Sequence, residues 1–358
     1  SGTDFPPIIE GLAEANANGV DLPQPLIVPH EHAAMGMAHG YHLATGKTPV
    51  VMLHTNVGLS NGVTGLINAA TDHIPMLLMS GRTPVTEKSR FGARTVPIGW
   101  GQEMRDQTAM VRECCKWDYE LRFPEQVPEL LDRAHGIANS TAKGPVYLSL
   151  PREVLCETCP DDGLESPGSM RPARSGVRRE DLTALVDALA NARNPVIFAQ
   201  RGAASAAGFA ALSKLAEDWA IPVCPYWATA LPVPSSHPMN VGLSPMPWLA
   251  DADVVLVLDS LAPWEPQSHE PAPGATVIQM GPDPLFSRFP VRNFRADLAI
   301  ACAVDDGLVE LEAALRPRLL ETSEVRAARS ERVRKAAAGI RAAASDTAMA
   351  GGLSPMTK

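Results

Sequence analysis

The sequence predicts an α/β protein with two domains, each built on a doubly wound parallel sheet. Short apolar runs alternate with helical periodicity along most of the 358 residues, and the apolar runs have no polar face. A stretch rich in Pro, Gly, Ser and charge interrupts this alternation between Cys156 and Val177, which is typical of a linker. These two observations predict two Rossmann-like sheets with helices on both sides.

The first domain is assigned to residues 1–155. Its strands are apolar on both faces, as expected for a sheet that helices cover from each side. The predicted strands are Leu26–Val28, Val50–His54, Met76–Met79 and Pro145–Leu150, and the predicted helices are His32–Thr45, Asn61–Asp72 and Glu125–Ser140.

A linker over residues 156–178 leads to the second domain, residues 179–318. Residues 319–358 then contain an Ala- and Arg-rich helix, Glu324–Ala344, whose thin apolar face predicts that it crosses a surface or leads toward a further part of the protein. The elements predicted in the second domain are helices at Arg179–Ala192 and Gly208–Trp219 and strands at Val196–Ala199, Asp253–Leu258 and Ala275–Met280.

Composition narrows the class of partner. A formal net charge of −9 argues against a nucleic-acid or anionic-membrane surface, because binding phosphates requires clustered Lys and Arg. No apolar run approaches the ~20 residues that span a bilayer, and no signal peptide is evident. The six cysteines are scattered, and the Cys156/Cys159 pair has redox or zinc spacing but no second pair. We expect a soluble cytoplasmic protein with reduced thiols and a small-molecule or protein partner.

Histidines cluster around one glutamate. Five of the nine histidines fall between residues 30 and 54, and Glu31 lies among them. The zinc-protease motif His-Glu-x-x-His fails, because Ala34 occupies its last position. No set of Cys or carboxylate ligands completes another metal site, which favours polar residues on a helix flank.

Glu31 follows an apolar run and Pro29 at the predicted start of a helix, where a carboxylate is an ordinary cap. His54 ends a predicted strand and opens a loop, an edge position where α/β sheets place active sites, although it could equally bond the loop backbone. Within that loop, Gly58 is expected to allow a tight turn and Asn61 to cap the next helix.

A longer set of motifs favours a functional interpretation of Glu31 and His54. In order and spacing, the first domain resembles the pyruvate-oxidase-like family of thiamine diphosphate enzymes, which includes acetolactate synthases and benzoylformate decarboxylases. The matching motifs are His30–Ala34, Ala38–Tyr41, Ala44–Lys47, Gly58–Asn61, Asp72–Pro75, Gln102–Glu103 and Gly144–Pro151. The resemblance implies a pyrimidine-binding domain over residues 1–155, lacking its first strand and helix, and a central domain over residues 179–318.

The resemblance also implies roles for single residues. Glu31 would hydrogen-bond N1′ of the aminopyrimidine and favour the imino tautomer, which removes the proton from thiazolium C2. Apolar neighbours at residues 33–35 are expected to raise the pKa of Glu31 by desolvation. His54 would be an acid/base group near the substrate, as in benzoylformate decarboxylase. Gly58 and Asn61 would contact the cofactor.

The remaining pocket residues come from the same resemblance. His30, Gln102 and Glu103 would line the substrate pocket, the last two from a neighbouring subunit. Acetolactate synthases typically carry Gly-Pro-Gly in the loop after His54, where this chain has Asn56-Val57-Gly58, and this departure mildly favours a decarboxylase or lyase.

The cofactors that the resemblance implies are thiamine diphosphate and Mg²⁺. In the family, a third domain holds Mg²⁺ and the diphosphate through a Gly-Asp-Gly motif, which does not occur in these 358 residues. Residues 353–358 look like the entry to such a domain, so we expect this chain alone to bind the cofactor weakly. FAD is not expected, because Gln200-Arg201-Gly202 is no full phosphate cradle and Asp259–Ala262 lacks the run associated with flavin.

The predicted function is a thiamine diphosphate-dependent lyase or transferase that decarboxylates a 2-oxo acid or ligates the product, and is acetolactate synthase-like. A benzoylformate-type decarboxylase is the alternative. A non-catalytic nucleotide-binding or regulatory module is the alternative of another class. The resemblance implies a homodimer or homotetramer, no nucleic acid and no membrane.

Overall fold

The fold was analysed in a computed structural model, which describes residue 2 and residues 4–159, 168–246, 248–320 and 323–350. The predicted entry to a third domain, residues 353–358, lies outside the described residues. The chain divides into two compact units, Ser1–Ala173 and Arg174–Lys358, each with its own parallel sheet.

The first unit is a four-stranded parallel sheet in the order β1-β2-β4-β3. Helices occupy both faces. Its strands are β1 (Val50–Leu53), β2 (Leu77–Arg82), β3 (Trp117–Glu120) and β4 (Val146–Pro151), and its helices are α1 (Pro6–Ala17), α2 (Glu31–Thr45), α3 (Thr55–Thr71), α4 (Ile98–Gly101), α5 (Val127–Asn139) and α6 (Arg152–Leu155).

Two apolar layers enclose this sheet, because successive side chains of a strand point to opposite faces. Leu78 of β2 and Tyr147 of β4 join Met35 and Leu59 in one layer. The alternate residues of the same strands join Phe5 and the helix α5 in the other layer. Burial on both faces is the pattern of a parallel sheet, and the predicted fold class is confirmed for this unit.

The expected strand at Leu26–Val28 is wrong. These residues form no strand, and the side chain of Ile27 is 95% exposed. Prolines at 23, 25 and 29 remove three backbone donors from the segment, so it offers few hydrogen bonds to a neighbouring strand. As a result, β1 is an edge strand, and Val50 on it is 55% exposed.

The start of α3 also differs from the sequence prediction. Residues 55–61 were expected to be a loop with Asn61 as the cap, but the helix begins at Thr55 with His54 in the N-cap position. Gly58 in this stretch and Gly62 just after it lie inside the helix against neighbouring side chains. Tertiary packing therefore outweighs the low helix propensity of glycine here.

The second unit is a five-stranded parallel sheet in the order β6-β5-β7-β8-β9. A single apolar core covers both of its faces. The strands are β5 (Pro195–Ala199), β6 (Val223–Cys224), β7 (Val254–Leu258), β8 (Thr276–Gly281) and β9 (Leu298–Ala301), and the helices are α7 (Arg179–Asn191), α8 (Ala206–Asp218), α9 (Val304–Leu315) and α10 (Ser323–Ala350).

The Ala- and Arg-rich helix α10 packs on the second unit along its thin apolar face, where Val333 and Ala337 are fully buried. Arg329, 4% exposed, lies on the same helix. Its guanidinium donates to the carbonyl oxygens of Ala192 and Arg193 after α7, and of Trp219 and Ala220 after α8, at 2.6 to 3.1 Å. One cation therefore satisfies the carbonyl ends of two helices.

Within the described part of the chain, no helix combines the length and apolarity that crossing a bilayer requires.

Replacing Arg329 by Met should destabilise the second unit by about 3 kcal/mol or more, because four buried carbonyl oxygens lose a charged donor. Urea unfolding followed by far-UV circular dichroism measures the effect. Arg334→Met is the matched control on the same helix. Its ion pair with Glu217 is half exposed, so its loss should cost no more than about 1 kcal/mol. Equal costs for the two variants would contradict the role of Arg329.

Candidate active site

The candidate site lies at the carboxyl edge of the first sheet. His54 follows β1, Thr83 follows β2 and Arg152 follows β4. Because parallel strands end at the same edge, these three residues meet around one cleft, which also reaches Asp4 and Gln102. The full lining is Asp4, His54, Thr55, Thr83, Pro84, Arg94, Thr95, Val96, Ile98, Gly99, Gln102 and Arg152.

Glu31 is not the cap of its helix. His30 is the N-cap of α2, and its Nδ1 accepts a hydrogen bond from the backbone N–H of His32 at 3.2 Å. Glu31 is the first helical residue, and Asn61 on α3 donates its Nδ2–H to Glu31 Oε2 at 3.1 Å. Asn61 therefore supports this carboxylate instead of capping a helix, which corrects both expectations.

The electrostatics of Glu31 also differ from the prediction. The backbone N–H of Glu31 and the amide of Asn61 both donate to its carboxylate, and these bonds hold the pKa of Glu31 below its ordinary value. Desolvation acts in the opposite direction and is the smaller effect, because Glu31 is only half-buried and Ala33 is exposed. The expected rise in the pKa of Glu31 is therefore wrong for this structure.

Gly58 lies between Glu31 and His54. A Cβ atom at this position would stand 3.3 Å from Glu31 Oε1 and 3.3 Å from the Cβ of His54, which is tighter than ordinary contacts. The absent side chain brings the carboxylate of α2 close to the histidine that begins α3. Gly58 therefore has a packing role inside a helix, not the turn role that the sequence suggested.

His54 is oriented by a carboxylate that sequence reasoning missed. Asp4, 3% exposed, accepts from His54 Nδ1 at 2.6 Å through one oxygen and from the backbone N–H of Thr55 at 3.2 Å through the other. A carboxylate only accepts, so this contact places the proton on Nδ1 and leaves Nε2 for another partner. Thr55 has φ 37°, a strained backbone at the point where the strand turns into α3.

Asp4 occupies its position because Gly81 has no side chain. A Cβ atom on Gly81 would stand 1.8 Å from Asp4 Oδ2, so any other residue would expel the carboxylate. No motif in the sequence pointed to Asp4. The strand-end rule could have found Arg152, which lies two residues after the predicted strand at residues 145–150.

Gln102 and Glu103 separate in the structure. Gln102 lines the cleft beside His54. The carboxylate of Glu103 faces away into an ion-pair network, accepting from Arg94 Nη2 at 2.7 Å and from Thr83 Oγ1 at 2.9 Å, with Arg82 at 3.4 Å. Glu103 therefore fixes the walls of the cleft.

The other histidines and cysteines form no metal site among the described residues. His39 is 3.6 Å from Asp72, and His42 bonds the carbonyl of Lys47 at 2.8 Å, so they take part in separate contacts. Burial lowers the pKa of His42. The side chains of Cys156 and Cys159 are both partly exposed.

The second unit has a crevice of its own at the point where its strand order reverses, outside the carboxyl ends of β5 and β7. Arg201 and Asp259 follow these two strands, and Arg201 Nη1 donates to the carbonyl oxygen of Asp259 at 3.1 Å. The ring of Phe286, a residue that is 2% exposed, lies beneath two guanidinium groups. The distance from Cζ to the ring centre is 4.5 Å for Arg292 and 5.5 Å for Arg201. Burial lowers the pKa of Arg292 to about 10.

Comparison with known proteins shows which family the chain matches. The model of the thiamine pyrophosphate enzyme N-terminal TPP binding domain matches residues 1–110, and that of the thiamine pyrophosphate enzyme central domain matches residues 182–311. The chain belongs to the thiamine pyrophosphate enzyme family. This confirms the resemblance drawn from the sequence motifs.

Relatives of this thiamine pyrophosphate enzyme chain agree with the family models. A probable 2-ketoarginine decarboxylase of Pseudomonas aeruginosa is 32% identical over 65% of this chain and 41% of its own length. A benzoylformate decarboxylase of the same species is 29% identical over 71% of this chain and 49% of its own length. The chain thus spans less than half the length of these curated relatives.

A solved structure shares the fold. A thiamin diphosphate-dependent enzyme from Mycobacterium smegmatis aligns with a TM-score of 0.70 and 22% identity, covering 87% of this chain and 58% of that one. This likeness supports the two-sheet architecture alone.

The residues on α2 and α3 fit the pyrimidine half of the family cofactor. Glu31 offers an ionised acceptor supported by Asn61, and Gly58 leaves beside it the space that a side chain would fill. A carboxylate of this kind suits a ring nitrogen that must carry a proton.

Replacing Asn61 by Leu should raise the pKa of Glu31, because the carboxylate loses a donor that favours its ionised form. The pKa should stay below its ordinary value, since the larger backbone contribution remains. Titration of the labelled Glu31 Cδ by NMR measures the shift. Ser60→Ala is the control, because the Ser60 hydroxyl bonds the Val57 carbonyl and should leave the titration unchanged. An unchanged pKa in Asn61→Leu would contradict this account.

Proposed function

We propose that this chain is the pyrimidine-binding and central part of a thiamine diphosphate-dependent enzyme that acts on a 2-oxo acid. The observation that carries the proposal is the group of Glu31, Asn61 and His54 around Gly58 at one edge of the first sheet. When bound, thiamine diphosphate supplies the nucleophilic carbon and the electron sink for decarboxylation or carboligation.

Glu31 is proposed to hold the proton on the pyrimidine ring nitrogen. Its carboxylate lies at the first turn of α2, where the free backbone N–H groups favour its negative charge. Asn61 fixes its orientation, so the carboxylate is ready to accept a hydrogen bond from the protonated ring nitrogen. Gly58, His30 and Gln102 are proposed to complete the cofactor and substrate contacts.

His54 is proposed to exchange protons with the substrate. Asp4 fixes the ring and its tautomer, which leaves Nε2 to act as acid or base. This pair favours a benzoylformate-type decarboxylase as the second candidate, over a plain acetolactate synthase. Acetolactate synthase-like carboligation is the first candidate. Analysis of the reaction products distinguishes the two candidates.

Mg²⁺ and the diphosphate are proposed to bind residues outside the two domains, since no described cluster here could hold a metal ion. FAD is not proposed, because Gln200-Arg201-Gly202 after β5 is no full phosphate cradle. A cytoplasmic location is proposed, because the six cysteines are scattered through the sequence and lack the dense spacing of a secreted disulfide scaffold. A homodimer or homotetramer is supported by exposed apolar residues on α2, Met37 and Tyr41.

Replacing Glu31 by Gln in the full-length protein should abolish exchange of the thiazolium C2 proton, because a neutral amide no longer favours the imino tautomer. Proton exchange at C2, followed by NMR after a quench from deuterated buffer, measures the effect directly. His32→Gln is the control, since His32 is exposed and adjacent but makes no side-chain contact with Glu31. Unchanged exchange in Glu31→Gln would refute the role, and no exchange in the wild type would favour a non-catalytic module.

Replacing His54 by Gln should lower kcat by about 10²- to 10⁴-fold, the range of general acid–base catalysis. Asp4→Asn should lower kcat by about 10- to 100-fold with KM nearly unchanged, because the ring loses its orienting partner. Steady-state kinetics with the substrate that the wild type turns over measures both. Asp72→Asn, at the aspartate beside His39, is the matched control outside the cleft. A drop in Asp4→Asn confined to KM would contradict the positioning role.

A further inference from the structure

Two buried hydrogen-bond donors line the cleft beside His54 without an acceptor. The hydroxyl of Thr55, a residue that is 1% exposed, has no hydrogen-bond partner among the described residues. The Nε of Arg152 is also buried and has none. Buried polar groups in proteins are almost always paired, so two unpaired donors in one cleft indicate a place for an acceptor from a ligand.

Of the two arginines that line the cleft, Arg94 has an ion pair, and Arg152 has none among the described residues. Arg94 is neutralised by Glu103 at 2.7 Å, and Asp4 is paired with His54. Arg152 forms no ion pair within the described ranges of the chain. The neighbouring Glu153 is buried and accepts instead from the N–H and hydroxyl of Thr86, at 2.8 and 2.9 Å.

The ion pair of Arg94 and Glu103 continues away from the cleft. Glu103 also contacts Arg82, and Arg82 is paired with Glu120 at 2.7 Å. Two arginines and two carboxylates thus balance one another. Arg152 carries the positive charge that a bound anion would neutralise.

The chemistry of decarboxylation restricts which anion this is. A cation on the carboxylate that leaves would stabilise the ground state and lose its partner as neutral carbon dioxide forms, which would raise the barrier. A cation on an acidic group that persists through the reaction contributes to binding without this cost. An unpaired arginine in this cleft therefore fits an acid group that remains after carbon dioxide is lost.

We infer that Arg152, with the hydroxyl of Thr55, binds a second carboxylate of the reactants, so that the enzyme takes a reactant bearing an acid group besides the one it removes. This inference rests on the proposed function and names its substrate class. The acid group belongs to the far end of the 2-oxo acid or to a second carbonyl compound that joins the product. Both are bound by the same two donors.

Equilibrium binding tests the inference without turnover. Glutarate and pentanoate have the same carbon chain and differ in one carboxylate, and isothermal titration calorimetry on the full-length protein gives both affinities. We expect the wild type to bind glutarate at least ~10-fold more tightly and Arg152→Gln to remove the difference, as expected for losing a hydrogen-bonded charge pair. Arg152→Lys should keep part of it. Equal wild-type affinities, or unchanged preference in Arg152→Gln, would overturn the inference.

Arg112→Gln is the matched control, because Arg112 is half exposed, pairs with Asp106 and lies outside the cleft. It should retain the preference for glutarate. Thr55→Val should reduce that preference by a smaller factor than Arg152→Gln, since it removes one neutral donor. Loss of the preference in Arg112→Gln would show a general effect of charge and overturn the assignment to Arg152.

Kinetics then separate the two sources of the acid group. In Arg152→Gln, kcat/KM for 2-oxoglutarate should fall ~10- to 100-fold relative to 2-oxopentanoate if the group is on the 2-oxo acid. If it is on the acceptor, the fall should appear only in carboligation of 2-oxopentanoate with added glyoxylate, relative to acetaldehyde. An equal fall in all four reactions would overturn the inference. A wild type without activity or C2 exchange refutes the proposed function. The glutarate measurement still tests the inference about Arg152, because it needs no turnover.

Discussion

The parallel register of β1 and β2 is the constraint on which the candidate site depends. Leu53 pairs with Ser80 in that register, so His54 emerges beside Gly81, which has no side chain. Asp4 fits into the space over Gly81 and reaches both His54 and the start of α3. A shift of one residue would place a side chain there and turn His54 to the other face of the sheet. Hydrogen bonds between backbones therefore determine where the imidazole lies.

Packing of two helices adds the second part of the site. The helices α2 and α3 pack closely because glycines of α3, including Gly62 and Gly65, lie against Met35 of α2. This close packing allows Asn61 to reach Glu31 from the neighbouring helix. The carboxylate and the imidazole thus come from two elements that the same apolar layer holds together.

Sequence reasoning found the fold class, most strands and the glutamate, since these depend on local periodicity and on a motif at a helix start. It failed where tertiary contacts decide. Residues 55–61 contain Gly and Asn and read as a loop, yet packing on α2 makes them helical. The apolar run at 26–28 read as a strand, but a strand also needs a hydrogen-bonding neighbour.

The two side chains with the clearest chemistry beyond the motifs were the least predictable. Asp4 stands in no recognisable pattern, and its contact with His54 spans 50 residues of chain. Nothing local distinguishes it from an exposed aspartate near a terminus. Arg152 was marked only by its place after a strand. Its unpaired state is a property of the folded cleft and cannot be read from neighbouring residues.

The edge strand β1 has a practical consequence for handling this chain. Among the described strands, none pairs with the outer side of its backbone, and Val50 on this strand is 55% exposed. Such an edge is a template for pairing with another polypeptide, including a misfolded one. Concentrated samples of the two units on their own should therefore aggregate through the start of the first sheet, and a charged residue in place of Val50 would be the simplest way to keep them dispersed.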